Sequence, residues 1–233
     1  MADAMPEDPA GRVRYADRDR YVAVLLAPAP ARDGLFALFA LDLELAQIVA
    51  TTTEPLLGEI RLAWWREQLV RLDSAAAPAQ PTLAALSRFA LPAGITGASL
   101  EPLEDAHLAL LLDEHFDAAK LEAHLANRGG VLFAASARLL GGDPDVARRF
   151  GRVWALGDFV RRGERPPYLS VTLLESANQR DDLPAAPRAL RPLAALARMA
   201  SIDIGATLAG RAPAPRGSAG RQLRMFATLL TGR

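Results

Sequence analysis

Helix-forming residues dominate this chain from end to end, and that pattern limits the folds open to it. Ala, Leu, Arg and Glu recur throughout, whereas runs of β-branched residues are scarce. Hydrophobic residues make up 51% of the 233 residues, enough to fill a substantial core. We therefore predict an all-α protein with a single helical domain at residues 13–233, preceded by a disordered tail at residues 1–12.

Turn and capping signals divide the domain into helices. Thr53 is the predicted N-cap of the helix that carries Trp64 and Trp65, and Asp117 and Asp143 precede two later helices. Gly129-Gly130 is predicted to lie inside a helix, where a second helix packs closely against it. The predicted helices cover residues 14–26, 31–51, 53–66 and beyond, 83–89, 99–113, 117–140, 144–162, 193–208 and 222–229, with the best linker candidate at 178–190.

Charge and cysteine content exclude several classes of protein. The formal net charge is zero, so no overall field favours nucleic acid, and the absence of cysteine excludes disulfides and thiolate metal sites. The acidic N-terminus is not a secretory signal and no apolar run is long enough to predict a membrane span, so we expect a cytoplasmic protein. From Arg161 onward, twelve arginines stand against five acidic residues. This basic third could bind acidic lipid or a protein partner, although a solvated arginine-rich surface is the simpler interpretation.

Three segments resemble the opening of a known enzyme family. Asp17–Pro28, Leu35–Leu41 and Arg61–Glu67 occur in the order and with the spacing found in squalene/phytoene synthases. The resemblance extends in weaker form over residues 18–175. It implies an isoprenoid-synthase-type helical bundle, here shortened at its C-terminus.

Active members of the family join two prenyl diphosphates with the help of magnesium ions held by two aspartate-rich helices. The magnesium ions stabilise the departing diphosphate. The three aspartate positions of the first motif correspond here to Ala46, Gln47 and Ala50. In the second motif, Asp158 and Arg161 stand at family positions, but the final aspartate is replaced by Arg162. The resemblance therefore implies that both metal sites are lost, and we predict no catalytic residue, no metal site and no cofactor.

The residues left at these positions suggest an ion-pair cluster in place of the metal ions. Asp42 lies one helical turn before Ala46, and Asp158 and Arg162 are four residues apart on one helix face. We predict that Arg162 joins Asp42 and Asp158 across the former metal site, because an unpaired buried charge is very costly.

Other residues are candidates for the cleft. They are Tyr21, Arg61, Trp64, Arg66 and Arg161. Core packing is the preferred interpretation for at least one of Trp64 and Trp65, and ion pairs with nearby acids are preferred for Arg61 and Arg66.

One further segment has the spacing of a relocated metal site. Asp113 and Asp117 have the spacing of a metal motif, with His107 and His115 nearby. A helix end followed by an N-cap is the favoured interpretation of that segment.

The branch of the family that this chain resembles includes assembly factors of respiratory complex I. The resemblance therefore implies a non-catalytic protein with a protein partner, such as a respiratory-complex subunit or another assembly factor. A bound prenyl lipid and peripheral contact with the inner membrane are compatible with it. Two alternatives stay open: a divergent, magnesium-dependent prenyl synthase with metal ligands elsewhere, and a plain helical interaction domain.

Overall fold

Helices are the only regular structure among residues 6–112, 117–161 and 183–233, the parts of the chain described by the computed structural model. The α-helices are α1 (Pro9–Ala16), α2 (Arg18–Leu25), α3 (Arg32–Thr51), α4 (Pro55–Arg71), α5 (Pro81–Ala85), α6 (Gly97–Leu100), α7 (Pro102–Leu112), α8 (Ala118–His124), α9 (Val131–Leu140), α10 (Pro144–Arg161), α11 (Arg191–Leu208) and α12 (Ala219–Thr231). Two π-helical turns, Leu86–Ala90 and Leu125–Gly130, follow α5 and α8. Short 3-10 turns occur at Ala29–Ala31, Leu91–Ala93 and Arg188–Leu190.

Helix α3 forms the centre of the core. It contacts α1, α2, α4, α7 and α9, and nearly every side chain from Leu35 to Leu41 is buried. The helical stretch Ala29–Thr51 is long and apolar enough to cross a membrane, but 67% of its most apolar window is buried inside the fold. That burial is typical of the core helix of a globular domain.

The N-terminal segment differs from the prediction. Helix α1 begins at Pro9, and the Asp8 side chain caps it by accepting a hydrogen bond from the Gly11 N–H at 2.7 Å. Val13 is fully buried, so apolar contact also holds this helix in place. The predicted tail is therefore wrong for residues 9–12, while residues 1–5 lie outside the described residues.

The predicted first helix, 14–26, is two helices. Asp17 has an extended backbone, and its side chain accepts hydrogen bonds from the N–H groups of Asp19 and Arg20 at 3.0 and 3.1 Å. Asp17 thus ends α1 and caps α2. The cap predicted for α4 is also wrong, since Glu54 rather than Thr53 occupies the N-cap position.

The long helical run from residue 118 to 140 confirms one prediction. Asp117 caps it by accepting from the Lys120 N–H at 2.8 Å, and the run continues through the π-helical turn into α9. At Gly129 the run meets Gly151 of α10 so closely that a Cβ on Gly129 would lie 2.0 Å from the Gly151 carbonyl oxygen. Because neither glycine has a side chain, the two helix backbones can approach this closely.

Candidate functional site

Charged side chains form a closed ring of ion pairs in the buried centre of the fold. Three aspartates alternate with three arginines among the described residues. In order around the ring they are Asp42, Arg20, Asp17, Arg216, Asp158 and Arg128. This set is called the central ring below. The central ring joins α2, α3, the π-helical turn Leu125–Gly130, α10 and the loop before α12.

Asp42 is the most heavily bonded member of the central ring. Its Oδ1 accepts from Arg128 Nε at 2.8 Å, and its Oδ2 accepts from Arg128 Nη2 at 3.0 Å and from Arg20 Nη1 at 2.8 Å. His107 Nε2 lies 3.1 Å from Oδ1. Asp42 is completely buried, which alone would raise its pKa, but the positive charges of Arg128 and Arg20 outweigh burial and hold the pKa well below its usual range. These contacts therefore favour the ionised carboxylate of Asp42.

Arg128 links the two halves of the central ring. Besides its bonds to Asp42, its Nη2 lies 2.6 Å from Asp158 Oδ2. Its guanidinium carbon is 5.1 Å from the centroid of the Trp154 ring, and that of Arg20 is 4.7 Å from the same ring. Burial alone would lower the pKa of Arg128, but the negative charges of Asp42 and Asp158 have the larger effect and raise the pKa above its usual range. This side chain therefore stays charged. Carboxylates and an aromatic face thus surround both buried guanidinium groups.

A second group of ion pairs lies beside the central ring. Arg221 of α12 donates from Nε to Asp19 at 2.8 Å and from Nη1 to Asp203 of α11 at 2.5 Å. Arg161 Nη1 lies 3.0 Å from Asp203 Oδ2. These contacts tie the C-terminal helices to α2 and α10.

A pocket of about 300 Å³ opens between α3 and α10, next to the central ring. Ala46, Gln47 and Ala50 line one side, and Arg161 and Arg216 line the other. Both guanidinium groups on this second side already form ion pairs, Arg161 with Asp203 and Arg216 with Asp17. The pocket therefore has small or neutral side chains on one wall and paired arginines on the other.

Comparison with known proteins identifies the family. The family model described as squalene/phytoene synthase matches residues 13–201. This chain belongs to the squalene/phytoene synthase family. Its fold is similar to that of a dehydrosqualene synthase crystallised with a ligand, with a TM-score of 0.75 at 12% identity over 95% of this chain and 94% of that one. The predicted isoprenoid-synthase fold is thus confirmed, whereas the C-terminal shortening stays a prediction.

Two curated relatives match part of the chain. Complex I assembly factor 6 of NADH dehydrogenase (ubiquinone), from Bos taurus and from Homo sapiens, is 28% identical to it over 130 residues. The match covers 55% of this chain and 39% of each relative. The chain thus matches well under half the length of these two proteins.

The magnesium cluster expected of a catalytic squalene/phytoene synthase does not fit the residues described at the pocket. The three positions of the first aspartate motif offer no carboxylate, and magnesium requires oxygen ligands. Asp42 and Asp158 do supply oxygens, but guanidinium groups already bind them. Within the described ranges, no group of three or more His, Cys, Asp or Glu side chains is placed to hold a metal ion. The remainder of the second motif, in residues 162–182, lies outside those ranges.

The predicted ion-pair cluster is right in its aspartates. Asp42 and Asp158 share one cation, as expected, but the cation described there is Arg128, from a different helix. Arg162 itself lies outside the described residues. Three arginines of the central ring, Arg20, Arg128 and Arg216, were not identified from the sequence. For Arg128, the Gly129-Gly130 pair was the available signal, because close backbone packing at Gly129 fixes the position of the residue before it.

The other predicted cleft residues are dispersed. Arg161 lies at the pocket, whereas Arg61 and Trp64 line a separate groove of about 460 Å³ between α3 and α4. Tyr21 packs against Phe36, with ring centroids 5.6 Å apart. Trp65 is buried and Trp64 is 41% exposed, as expected for adjacent helix residues.

Arg66 forms ion pairs with nearby acids, as the sequence predicts. It bonds Glu104 and, at 2.7 Å, Asp105 of α7. Of the relocated metal motif, Asp117 caps α8 and His107 bonds Asp42, while Asp113 and His115 lie outside the described residues. Binding of a prenyl lipid stays a prediction.

His124 makes the stability of the fold dependent on pH. Burial, followed by the charges of Arg128 and His107, lowers its pKa from 6.5 to about 3, and its Nδ1–H donates to the Ala106 carbonyl at 2.9 Å. Between these values the unfolded chain binds a proton that the folded protein does not, so the free energy of unfolding falls as the pH drops. We expect His124 to account for a loss of about 2 kcal/mol between pH 7 and pH 5.

The measurement is urea unfolding at both pH values for the wild type and for His124→Gln, whose amide can keep the donor. The variant should show a pH dependence smaller by about the same 2 kcal/mol. An equal pH dependence in both proteins would contradict this assignment.

Proposed function

We propose that this protein is a non-catalytic member of the squalene/phytoene synthase family, a pseudoenzyme that works through a protein partner in the assembly of respiratory complex I. The observation that carries the proposal is the central ring. Guanidinium groups take up the carboxylates that remain beside the former metal site, in the space between α3 and α10.

The chemistry of the family explains why this arrangement argues against prenyl transfer. A departing diphosphate accumulates negative charge that clustered divalent cations normally stabilise. Arg161 and Arg216 could attract an anion, but each already bonds a carboxylate. Drawing them away would remove one of the arginines that pair with each of the buried residues Asp203, Asp17 and Asp158, and breaking buried ion pairs is costly. The pocket is thus poorly suited to supply the positive charge that the reaction requires.

The curated relatives supply the second part of the proposal. Both are named as assembly factors of complex I, and they match this chain over 130 residues. A fold kept intact while its metal motif is lost fits a binding role better than a catalytic one. The partner we propose is a subunit or another assembly factor of that complex.

The proposal predicts two results. Deleting the gene in the native cell should lower the amount of assembled complex I and the rate of NADH oxidation by membranes, and the wild-type gene should restore both. The purified protein, given farnesyl or geranylgeranyl diphosphate with magnesium, should release no diphosphate above the background without protein.

An Ala50→Trp variant separates the two roles further. Ala50 is exposed and lines the pocket, so tryptophan would fill the pocket without disturbing the core. It should restore complex I as well as the wild type does. Diphosphate release that a chelator abolishes, or unchanged complex I in the deletion strain, would overturn the proposal.

A further inference from the structure

The last described helix packs one face against the fold and has exposed apolar side chains on the opposite face. Arg221, Met225 and Thr228 face the fold and are buried. On the other side, Leu223, Phe226 and Leu230 are 71%, 49% and 64% exposed. These three residues are called the α12 face below. Their spacing of three and four residues places them on one stripe of the helix, pointing away from the core.

The surroundings of the α12 face are strongly basic. From residue 183 to 233 the sequence has eight arginines and a single acidic residue, Asp203, which is buried and paired with Arg221. Arg188, Arg224 and Arg233 are exposed. No described acidic side chain of this segment is therefore exposed to offset their charge.

Two further arginines concentrate charge at the C-terminal end of α12. Arg191 Nη1 donates to the carbonyl oxygens of Leu229 and Leu230 at 2.9 and 2.8 Å, and Arg198 Nη2 donates to that of Gly232 at 3.2 Å. Backbone carbonyls are neutral acceptors, so these bonds fix the position of both cations without cancelling their charge. Arg188 and Arg191 also line a groove of about 810 Å³ together with Leu229 and Leu230.

We propose that the α12 face docks on the surface of an anionic phospholipid bilayer. The three apolar side chains would enter the boundary between headgroups and acyl chains, while the surrounding arginines contact the phosphate groups. Charge complementarity selects the bilayer. Apart from Arg216 and Arg221, which are held in ion pairs with aspartates, this segment has six arginines and no exposed acidic side chain, and it therefore matches a surface of uniform negative charge. This inference is independent of the proposed role in complex I assembly.

The test is co-sedimentation of the purified protein with vesicles of phosphatidylcholine alone or mixed with phosphatidylglycerol. The wild type should bind the anionic vesicles about tenfold more tightly than the neutral ones, and added salt should weaken that binding. Phe226→Gln/Leu230→Gln should reduce binding to anionic vesicles by about tenfold or more, because two apolar side chains are lost.

A matched control comes from α4. Leu56 and Ile60 are 66% and 59% exposed and lie four residues apart, as Phe226 and Leu230 do. Leu56→Gln/Ile60→Gln should bind vesicles like the wild type, and equal melting temperatures would show that both double variants are folded.

Three results would overturn the inference. They are absence of wild-type binding to anionic vesicles at low salt, equal loss of binding in the two double variants, and unchanged binding of Phe226→Gln/Leu230→Gln. A wild-type dimer that this last variant converts to a monomer, together with no vesicle binding, would instead assign the α12 face to self-association.

Discussion

Replacing Arg128 by methionine is expected to lower the free energy of unfolding by about 3–5 kcal/mol. Arg128 is fully buried and binds both Asp42 and Asp158. Methionine would retain much of the side-chain volume but would leave these carboxylates short of one cation, and an uncompensated buried charge is the costly part of breaking such a pair. Urea unfolding followed by circular dichroism measures the loss.

Two controls sharpen this prediction. Arg152 of α10 forms an exposed ion pair with Glu122, so Arg152→Met should cost at most about 1 kcal/mol. Asp42→Asn in the Arg128→Met background removes one negative charge and restores the charge balance among the members of the central ring. The double variant should therefore be more stable than Arg128→Met alone. If Arg128→Met is no less stable than Arg152→Met, the central ring does not hold the fold together as argued.

The central ring also shows how far the sequence could predict the site. Asp42 and Asp158 could be predicted as site residues, because each occupies a helix position next to a lost family ligand. Their arginine partners could not be predicted, since Arg128 lies 86 residues from Asp42 along the chain and Arg216 lies 58 residues from Asp158. Helical periodicity relates residues within one helix, whereas these contacts depend on how separate helices cross.

The helices themselves followed from local patterns more fully. Proline, glycine and aspartate signals placed α8 to α10 correctly, because capping is decided within one turn of the chain. Asp17 was misjudged because an aspartate inside a helical pattern can remain in the helix or cap a new one. Here its buried carboxylate binds Arg20 and Arg216, and these tertiary contacts favour the cap.

Gly129→Ala is expected to destabilise the fold by about 3 kcal/mol, close to the upper end for an overpacked core. The added Cβ would lie 2.0 Å from the Gly151 carbonyl oxygen, and a backbone atom cannot rotate away as a side chain can. Gly130→Ala is the matched control. Gly130 has helical dihedral angles, and its nearest neighbour would be 4.0 Å from a Cβ, so alanine should be neutral or stabilising by up to about 1 kcal/mol.

The two glycines also connect the packing of the fold to its central charge. Gly129 directly follows Arg128, so forcing the π-helical turn away from α10 would pull the guanidinium from Asp158, which lies on α10. The losses from Gly129→Ala and Arg128→Met should therefore overlap, and the double variant should lose less than the sum of the two. Strict additivity, or equal stability of Gly129→Ala and Gly130→Ala, would show that the close backbone contact does not position Arg128.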